Sequence, residues 1–573
     1  MEKWIISLIA LLISSAFASW TGETKEPNKT QINGATFYEI SEPSELAWFA
    51  NKVADGDSTA NAVLLQDLIF GNSEKEVSAS LWNPIGTADS LRYQGTFDGK
   101  GHNIFGLKIT QYYSGLFRTI GSNGIVKNVN VLNTNINVIG QSGCIEGSCV
   151  DPHIGGISAE NYGTIDSCTF SGKLYLSENS YSYVGGIAGS NYNSGTVTNC
   201  KNLGLISVRS RDRIGGIVGY NTGTISHCQN RGKISVVGTF PITTKAYIGG
   251  ITGINYNGII LDNINSGDVY VSLESDGDTG GLRNVSATAG GIVGGFTSGT
   301  LERCSNYGKI YVKTNRVGPI NNEHLAYSYA GGIAGSSLRT ITDVSNYGVI
   351  EAHSLDSMTF VGGIAGILSV SAETTLIKNA FVAIDSIISD SITGIFFGRV
   401  WGCSRNNKIT NAYYDKDLLP NLPFIGSIDT SIILFDTLGL MTEEMQSDEF
   451  ALNLNTTNGT EESRNVWERC KAYPVLIGNC STKRDFYSEE EDSGTTKIPF
   501  TVPPSIFSIQ INKRSIIINT SSATQNRNIA IFDIHGNLID SKKFVNQSIA
   551  INVKNAGFYL VKIGTFSKVV RLK

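Results

Sequence analysis

Ile214-Gly215-Gly216-Ile217-Val218-Gly219-Tyr220-Asn221-Thr222-Gly223-Thr224-Ile225-Ser226-His227-Cys228 decides the fold, because altered copies of it recur down the middle of the chain. Copies open at Ile154-Gly155-Gly156-Ile157, Val184-Gly185-Gly186-Ile187, Ile248-Gly249-Gly250-Ile251, Ala289-Gly290-Gly291-Ile292, Ala330-Gly331-Gly332-Ile333 and Val361-Gly362-Gly363-Ile364. From first glycine to first glycine the steps are 30, 30, 34, 41, 41 and 31 residues. A period of this size signals a solenoid, a propeller or an array. Each copy holds three short apolar pieces: Gly-Gly-Ile, a second such as Thr224-Ile225, and a third such as Lys233-Ile234-Ser235-Val236. The third alternates apolar and polar residues, the period of a half-buried strand, and no window keeps a helical period over three turns. Three strands per copy predict an all-β chain, a right-handed parallel β-helix of about nine or ten coils stacked some 4.8 Å apart.

Asn161, Asn191, Asn221 and Asn255 each stand five residues after the second glycine. Stacked coils would bring these amides within reach of one another as a hydrogen-bonded ladder. The column breaks at Phe296, Ser337 and Leu368, so later coils must turn that corner differently. A second set, Asn202, Asn230, Asn265, Asn306 and Asn346, each two residues before a glycine, precedes the third strand. Asn and Gly tolerate the left-handed backbone that a sharp corner needs. Cys168, Cys200, Cys228 and Cys304 share one column with Asn263 and Val344. Small, mostly apolar residues there predict an inward stack of packing thiols, with a vertical disulfide as the alternative. A metal site has little support, since His227 and Asn263 are the only polar company and neither repeats.

The pattern Gly-Gly-Ile-x-Gly-x-Asn-x-Gly-Thr-Ile-x-x-Cys resembles the GLUG repeat of bacterial surface proteins, which also occurs beside the catalytic part of bacterial IgA-cleaving metallopeptidases. The likeness covers most of 36–480. Trp82-Asn83-Pro84-Ile85-Gly86, Phe97-Asp98-Gly99-Lys100-Gly101-His102-Asn103-Ile104 and Gly115-Leu116-Phe117 look like the family's first coils. Asn411 to Asp415, Met441 to Met445, Trp467 and Tyr473-Pro474-Val475-Leu476 look like its terminal ones, with a short helix within Met441 to Leu454.

Residues 1–18 read as a secretory signal, with Lys3, an apolar core from Ile5 to Ile13 and Ala16-Phe17-Ala18 at the cleavage site. No other stretch approaches the length of a membrane-spanning helix, so the mature chain carries no transmembrane segment. Residues 19–35 are polar and read as a disordered lead-in. Ser44 is placed as the N-cap of one short helix that covers the open end of the solenoid. Cys144 and Cys149 flank a four-residue insertion, and Cys470 and Cys480 bracket a late strand; in an exported chain both pairs predict local disulfides. With nine cysteines one thiol is left over, Cys403 being a candidate. Residues 481–504, with Glu489-Glu490-Glu491-Asp492 and three prolines, form a linker.

From 505 to 573 short strands follow in succession, the pattern of a small antiparallel sandwich. Ile531-Phe532-Asp533-Ile534-His535-Gly536-Asn537, then Ala556-Gly557-Phe558-Tyr559-Leu560-Val561-Lys562 and a basic end resemble the type IX secretion sorting domain. That resemblance implies outer-membrane secretion machinery as the partner of 505–573, with a location outside the cell or on its outer surface after passage through the periplasm.

The net charge of −5 over 573 residues argues against nucleic acid. Neither the converging carboxylates of a glycosidase nor the base and Ca²⁺ set of a lyase stands out. Asp98 and His102 could pair for catalysis, but turn glycines around them favour a structural corner. Asp166, Asp262, Glu302 and Asp343 read as an exposed face. There is no His-Glu-x-x-His and no phosphate loop, so no metal or other cofactor is implied. Two surface signals remain: Tyr162, Tyr192 and Tyr256, which could stack on sugars or simply cover a corner, and Arg209-x-Arg211-x-Arg213, whose guanidiniums would share one side of an extended segment. Together these give a secreted, non-catalytic, adhesin-like protein contacting polysaccharide or another cell surface. A polysaccharide-degrading enzyme, with its site in the insertions at 275–288 or 313–326, and a structural envelope component are the alternatives.

Overall fold

The computed structural model describes residues 19–480, apart from 87–90, 140–143, 146–147, 150, 241–243, 276–284, 317–325, 355–357, 370–374, 401–407, 429–433, 457–465 and 471, together with the strands between 507 and 572. The secretory reading of 1–18, the linker at 481–504, Cys403 and most of both long insertions lie outside the described residues. The chain divides into two compact units, Met1–Glu490 and Glu491–Lys573.

The first unit is all-β apart from short helices, and its strands stack in parallel from one copy to the next, the arrangement of a β-solenoid. A ten-stranded sheet holds the strand after each Gly-Gly-Ile. Successive registers set Asn191 beside Asn221 and Asn221 beside Asn255. A second column sets Val197 beside Ile225 and Ile225 beside Ile260. Ile187, Ile217, Ile251, Ile292 and Ile333 are fully buried, one per coil, so the interior is a stack of like side chains.

Steric contact explains why the glycines are glycines. A Cβ on Gly215 would lie 2.0 Å from the Val218 carbonyl oxygen, one on Gly216 2.1 Å from that of Gly250, and one on Gly219 2.5 Å from the Val184 nitrogen. No side chain fits where backbone touches backbone this closely. The residues before each glycine pair form a strand of their own, such as Thr244–Gly249 paired with Val285–Gly290, beyond the three pieces expected per copy. The long insertions all open between this strand and the third one. There the two strands brace each other: Thr314 and Ser328 share a hydroxyl hydrogen bond of 2.9 Å.

Both asparagine columns are ladders. Each amide nitrogen donates to the next amide oxygen, at 2.8 Å from Asn161 to Asn191 and from Asn191 to Asn221, and at 2.6 Å from Asn221 to Asn255. The column then passes to Phe296, Ser337 and Leu368, where buried apolar contact takes over at Phe296 and Leu368. The second ladder runs unbroken through Asn202, Asn230, Asn265, Asn306 and Asn346 at 2.8 Å per step. Its asparagines are not the left-handed residues the sequence suggested. That conformation falls just before the cysteine column, at Asn128, Ser167, Asn199, His227, Asp262, Arg303, Asp343, Asn379 and Asn411, with φ of 48° to 61° across the chain's non-glycine cases. The chain turns there, and the next side chain drops into the core.

Cys168, Cys200, Cys228 and Cys304 are buried and unbridged, so the vertical disulfide is not formed. Their thiols point at carbonyl oxygens, for example Cys200 to Thr198 at 3.1 Å. Asn263 fills the same place with its amide bonded to the Ile225 and Leu261 carbonyls. Cys470 and Cys480 form a disulfide. Cys144 and Cys149 oppose each other in a two-stranded antiparallel ladder, a backbone placement that suits a bridge.

The lead-in is ordered, contrary to the expectation for 19–35. Asn28–Ile32 pairs antiparallel with Ala35–Ile40. The Trp20 ring sits 5.2 Å from Phe70 and 6.3 Å from Trp82, so one aromatic anchor outweighs the polar composition around it. The helix α1 (Pro43–Ala54) begins after Glu42, not Ser44: Pro43 takes the first position, and Glu45 reaches back to accept from the Ser41 amide at 2.8 Å. Its Phe49 packs against Tyr93 and Phe97 of the first coils. At the other end α2 (Thr442–Met445), α3 (Asp448–Thr456) and the hairpin of Trp467–Arg469 with Pro474–Leu476 bury Met445, Phe450, Leu454 and Trp467 against Phe381. Among its described residues the second unit holds a three-stranded and a four-stranded antiparallel sheet.

Replacing Asn230 by Ala should leave the Asn202 amide nitrogen without its acceptor and the Asn265 amide oxygen without its donor, which costs about 2–4 kcal/mol for two buried groups, while the Gly232 N–H keeps the Asn202 carbonyl at 3.1 Å. Chemical denaturation followed by circular dichroism would show this as a lower midpoint. An unchanged midpoint would mean that the ladder does not hold the coils together.

Candidate ligand surface

Stacking turns the residue two before each glycine pair and the residue four after it into two columns, in which His153, Ser190, Thr288 and Phe360 are buried. The first runs Tyr113, His153, Tyr183, Arg213, Tyr247, Thr288, Tyr329 and Phe360. The second runs Thr119, Glu160, Ser190, Tyr220, Ile254, Gly295, Ser336, Ile367 and Arg399. Because the glycine pair brings the two strands together, the columns meet as one seam. The Arg213 guanidinium lies 4.9 Å from the centre of the Tyr183 ring and 5.2 Å from that of Tyr220. It also donates to the Tyr183 hydroxyl at 2.5 Å. Arg118 covers Tyr113 at 4.7 Å and Arg399 covers Phe360 at 5.2 Å. At Gly295 a Cβ would stand 2.8 Å from the Tyr247 ring, so the missing side chain makes room for that ring. Planar cations over aromatic faces are attracted by the ring quadrupole and stay ordered at a surface.

His153 sits within the seam, stacked 5.2 Å from Tyr113 and 4.5 Å from Tyr183. Its Nδ1 is 3.0 Å from the Ser190 hydroxyl and 3.7 Å from a Glu160 carboxylate oxygen. Burial, helped by the Arg213 charge, pulls its pKa down to about 4, so the ring is neutral at pH 7. Burial likewise raises the Asp151 carboxyl, against the pull of Arg213.

The sequence-predicted tyrosines flank this seam. Tyr162 and Tyr192 stack at 4.6 Å, and Arg92 lies 4.2 Å from the Tyr162 ring centre. Tyr192 meets Tyr220 edge-on at 6.3 Å, joining the two groups. The Tyr162 ring is thus covered by Arg92 and Tyr192, and burial pushes the Tyr192 hydroxyl up against the effect of its hydrogen bond with Ser190. Tyr256 stands apart, separated from them by Thr222, with 51% of its surface exposed. Tyr307 and Tyr347 stack at 4.4 Å, and the Tyr347 hydroxyl donates to the Pro474 carbonyl, so that pair belongs to the terminal cap. Of the three arginines, Arg209 is exposed and Arg213 is drawn onto the rings; the Arg211 side chain lies outside the described residues. The structure therefore does not gather Arg209 and Arg213 on one flat face. The seam itself was missed. Its signal was present as the aromatic or arginine two places before every glycine pair of the column but the one after Thr288.

Asp98 and His102 do not pair with each other. Burial works against the Asp98 charge, but the Lys100 amide at 3.0 Å and the Asn128 amide at 3.2 Å hold its carboxyl below the usual range, while His102 meets Asp67 at 3.2 Å. Asp343 is not on an exposed face: it is 1% exposed, and Asn379 donates to it at 2.5 Å. Burial raises the Cys168 and Cys200 thiols far above their ordinary value, and Cys304 to about 12, which leaves none of the three as a nucleophile. Among the described residues no three His, Cys, Asp or Glu side chains are grouped to hold a metal, and no helix is long and apolar enough to cross a membrane.

The seam's central coils carry a known repeat. The GLUG motif matches residues 180–208 and 211–235. A protein of Evansella cellulosilytica, named as a Gly-rich membrane protein, is 34% identical over 89 residues. That stretch is 15% of this chain, and the chain spans 9% of the relative's length. No solved structure matches the chain.

The folded-state pKa of His153, about 4, lies below its unfolded value near 6.5, so protons bind the unfolded chain first. The stability this histidine contributes is full above pH 6.5 and falls as pH drops toward 4, by about 3 kcal/mol. Histidine Hε1 shifts followed from pH 8 to 3.5 should show one ring titrating near 4, absent in His153→Phe. A His153 signal titrating near 6.5 would contradict the burial argument.

Proposed function

We propose that the protein is an exported, non-catalytic surface scaffold whose β-helix holds polysaccharide along the aromatic and arginine seam, as an adhesin does. The seam is the observation that carries this reading. It carries Tyr113, Tyr183, Arg213, Tyr220, Tyr247 and Tyr329 along the stack, interrupted at the coil of Thr288 and Gly295, and a polymer rich in hydroxyl or carboxylate groups can bond several of these positions in turn. Many weak contacts in series give affinity through multivalency without a deep pocket. The mode is hydrogen bonding along edges more than stacking on faces, because Tyr162, Tyr183 and Tyr192 cover one another or lie under arginines.

Repeats of the GLUG type and a relative named as a membrane protein support a surface role. In this reading 1–18 directs export, and 505–573 forms a sandwich recognised by outer-membrane secretion machinery, so the scaffold ends outside the cell or on its outer surface. The antiparallel sheets within Glu491–Lys573 agree with such a module. A polysaccharide-degrading enzyme, with its site in the insertions at 275–288 or 313–326, is the rival reading.

Purified protein incubated with a panel of soluble and insoluble polysaccharides, with bound protein and released sugar recorded together, tests this. Binding without release is expected, and Arg213→Ala and Tyr220→Ala should each weaken it by about tenfold, the scale of one lost cation–π and hydrogen-bonding position. Released oligosaccharide would replace the scaffold reading with the enzymatic one. Binding that both variants retain in full would move the contact away from the seam.

A further inference from the structure

A cavity of about 480 Å³ lies on another face, between the coil corners near Cys228 and the terminal hairpin. Two columns form its floor. In one, register aligns Lys201, Gln229 and Ile264 on successive coils. In the other, the left-handed corners place His227, Asp262 and Arg303 one above the next. Arg303 clamps Asp262 through Nε at 2.7 Å and Nη2 at 3.0 Å, which cancels that carboxylate's charge. His227 approaches the same carboxylate at 3.6 Å from an exposed position.

What remains on the floor is positive and rich in donors. Lys201 is exposed, and the Gln229 Nε2 is a buried donor that no group in the described chain accepts from. The opposite wall sets the aliphatic side chains of Val466, Leu476 and Ile477 beside Gly478 and Asn479, and Ile477 leaves 48% of its surface uncovered. That wall is fixed: the Ile477 amide donates to the Val466 carbonyl at 3.0 Å, the Gly478 amide to Glu468 at 2.9 Å, and the Cys470–Cys480 disulfide closes the hairpin.

We infer that this cavity binds a small carboxylic acid with an aliphatic body. The lysine ammonium and the glutamine amide, one coil apart, supply donors for the two oxygens of one carboxylate. Among the described residues Lys201 is the one cation of the floor without an acidic partner, which suits a monoanion better than a phosphate dianion. Ile264 and the hairpin wall take the alkyl chain, whose burial supplies the rest of the affinity. Among the described residues no Tyr, Trp or Phe lines the cavity, so they offer a sugar ring no platform.

Hexanoate is the probe. Isothermal calorimetry on the full chain should show one hexanoate site, with acetate lacking the body and hexanol lacking the charge each about tenfold weaker or worse. Lys201→Met and Ile477→Ser, both at exposed positions, should each weaken hexanoate by about tenfold, with unchanged thermal midpoints to show that the fold is intact. Absence of hexanoate binding, equal binding of inorganic phosphate or hexanol, or full retention in both variants would overturn the assignment. Polysaccharide binding is read out separately at the seam, so either proposal can fail while the other stands.

Discussion

Backbone contact at the glycine pair is the constraint on which the rest of the first unit depends. At Gly215, Gly216 and Gly219 a single added carbon would fall 2.0 to 2.5 Å from backbone atoms, closer than any side chain tolerates. The chain can therefore reverse there with its two strands pressed together. That proximity aligns Arg213 with Tyr183 and Tyr220, and it lets His153 reach the Ser190 hydroxyl. A solenoid with a wider corner would carry the same residues without joining them in a seam.

Stacking also changes what may be buried. An asparagine side chain in an ordinary core is a liability, since an unmet amide costs about 1–3 kcal/mol. Here each coil sets the same amide above and below, so Asn202 to Asn346 satisfy one another while also bonding their own corner glycines. The arrangement is open to substitution wherever an equivalent bonding pattern or an apolar replacement is available. Asn263 takes a cysteine's place by bonding two carbonyls, and Phe296 takes an asparagine's place by filling the corner with carbon.

What could be read from the sequence follows from this repetition. The parallel stacking, the first asparagine ladder, its end at Phe296 and the inward cysteines were legible, because each is one column of a short repeated pattern. The ordered lead-in was not, because it depends on a single residue, Trp20, meeting Phe70 and Trp82 from far along the chain. The left-handed corner escaped notice for a different reason. Its column mixes Ser167, Asn199, His227, Asp262 and Arg303, so a shared conformation hides behind unlike side chains. The seam escaped because its two columns join only across adjacent coils: Tyr247 meets Gly295 some fifty residues later.

The same geometry separates variation from support. The extra residues of the 41-residue repeats enter between the third strand and the strand before the glycine pair, the two being braced by contacts such as Thr314 with Ser328. Length added at that edge leaves the glycine corner, both asparagine columns and the seam in register, as the parallel pairing of Val285–Gly290 with Ala326–Gly331 on either side of an insertion shows. Loop entropy grows slowly with length, so such insertions weaken the stack little. The corner face differs in kind. There the terminal hairpin fixes one wall of a cavity against Lys201, Gln229 and Ile264, and its shape depends on one disulfide and on a few coils being in place. A line of repeated weak contacts suits a polymer, whereas a single walled cavity suits one small molecule, and the two faces obey these different demands because only one of them repeats.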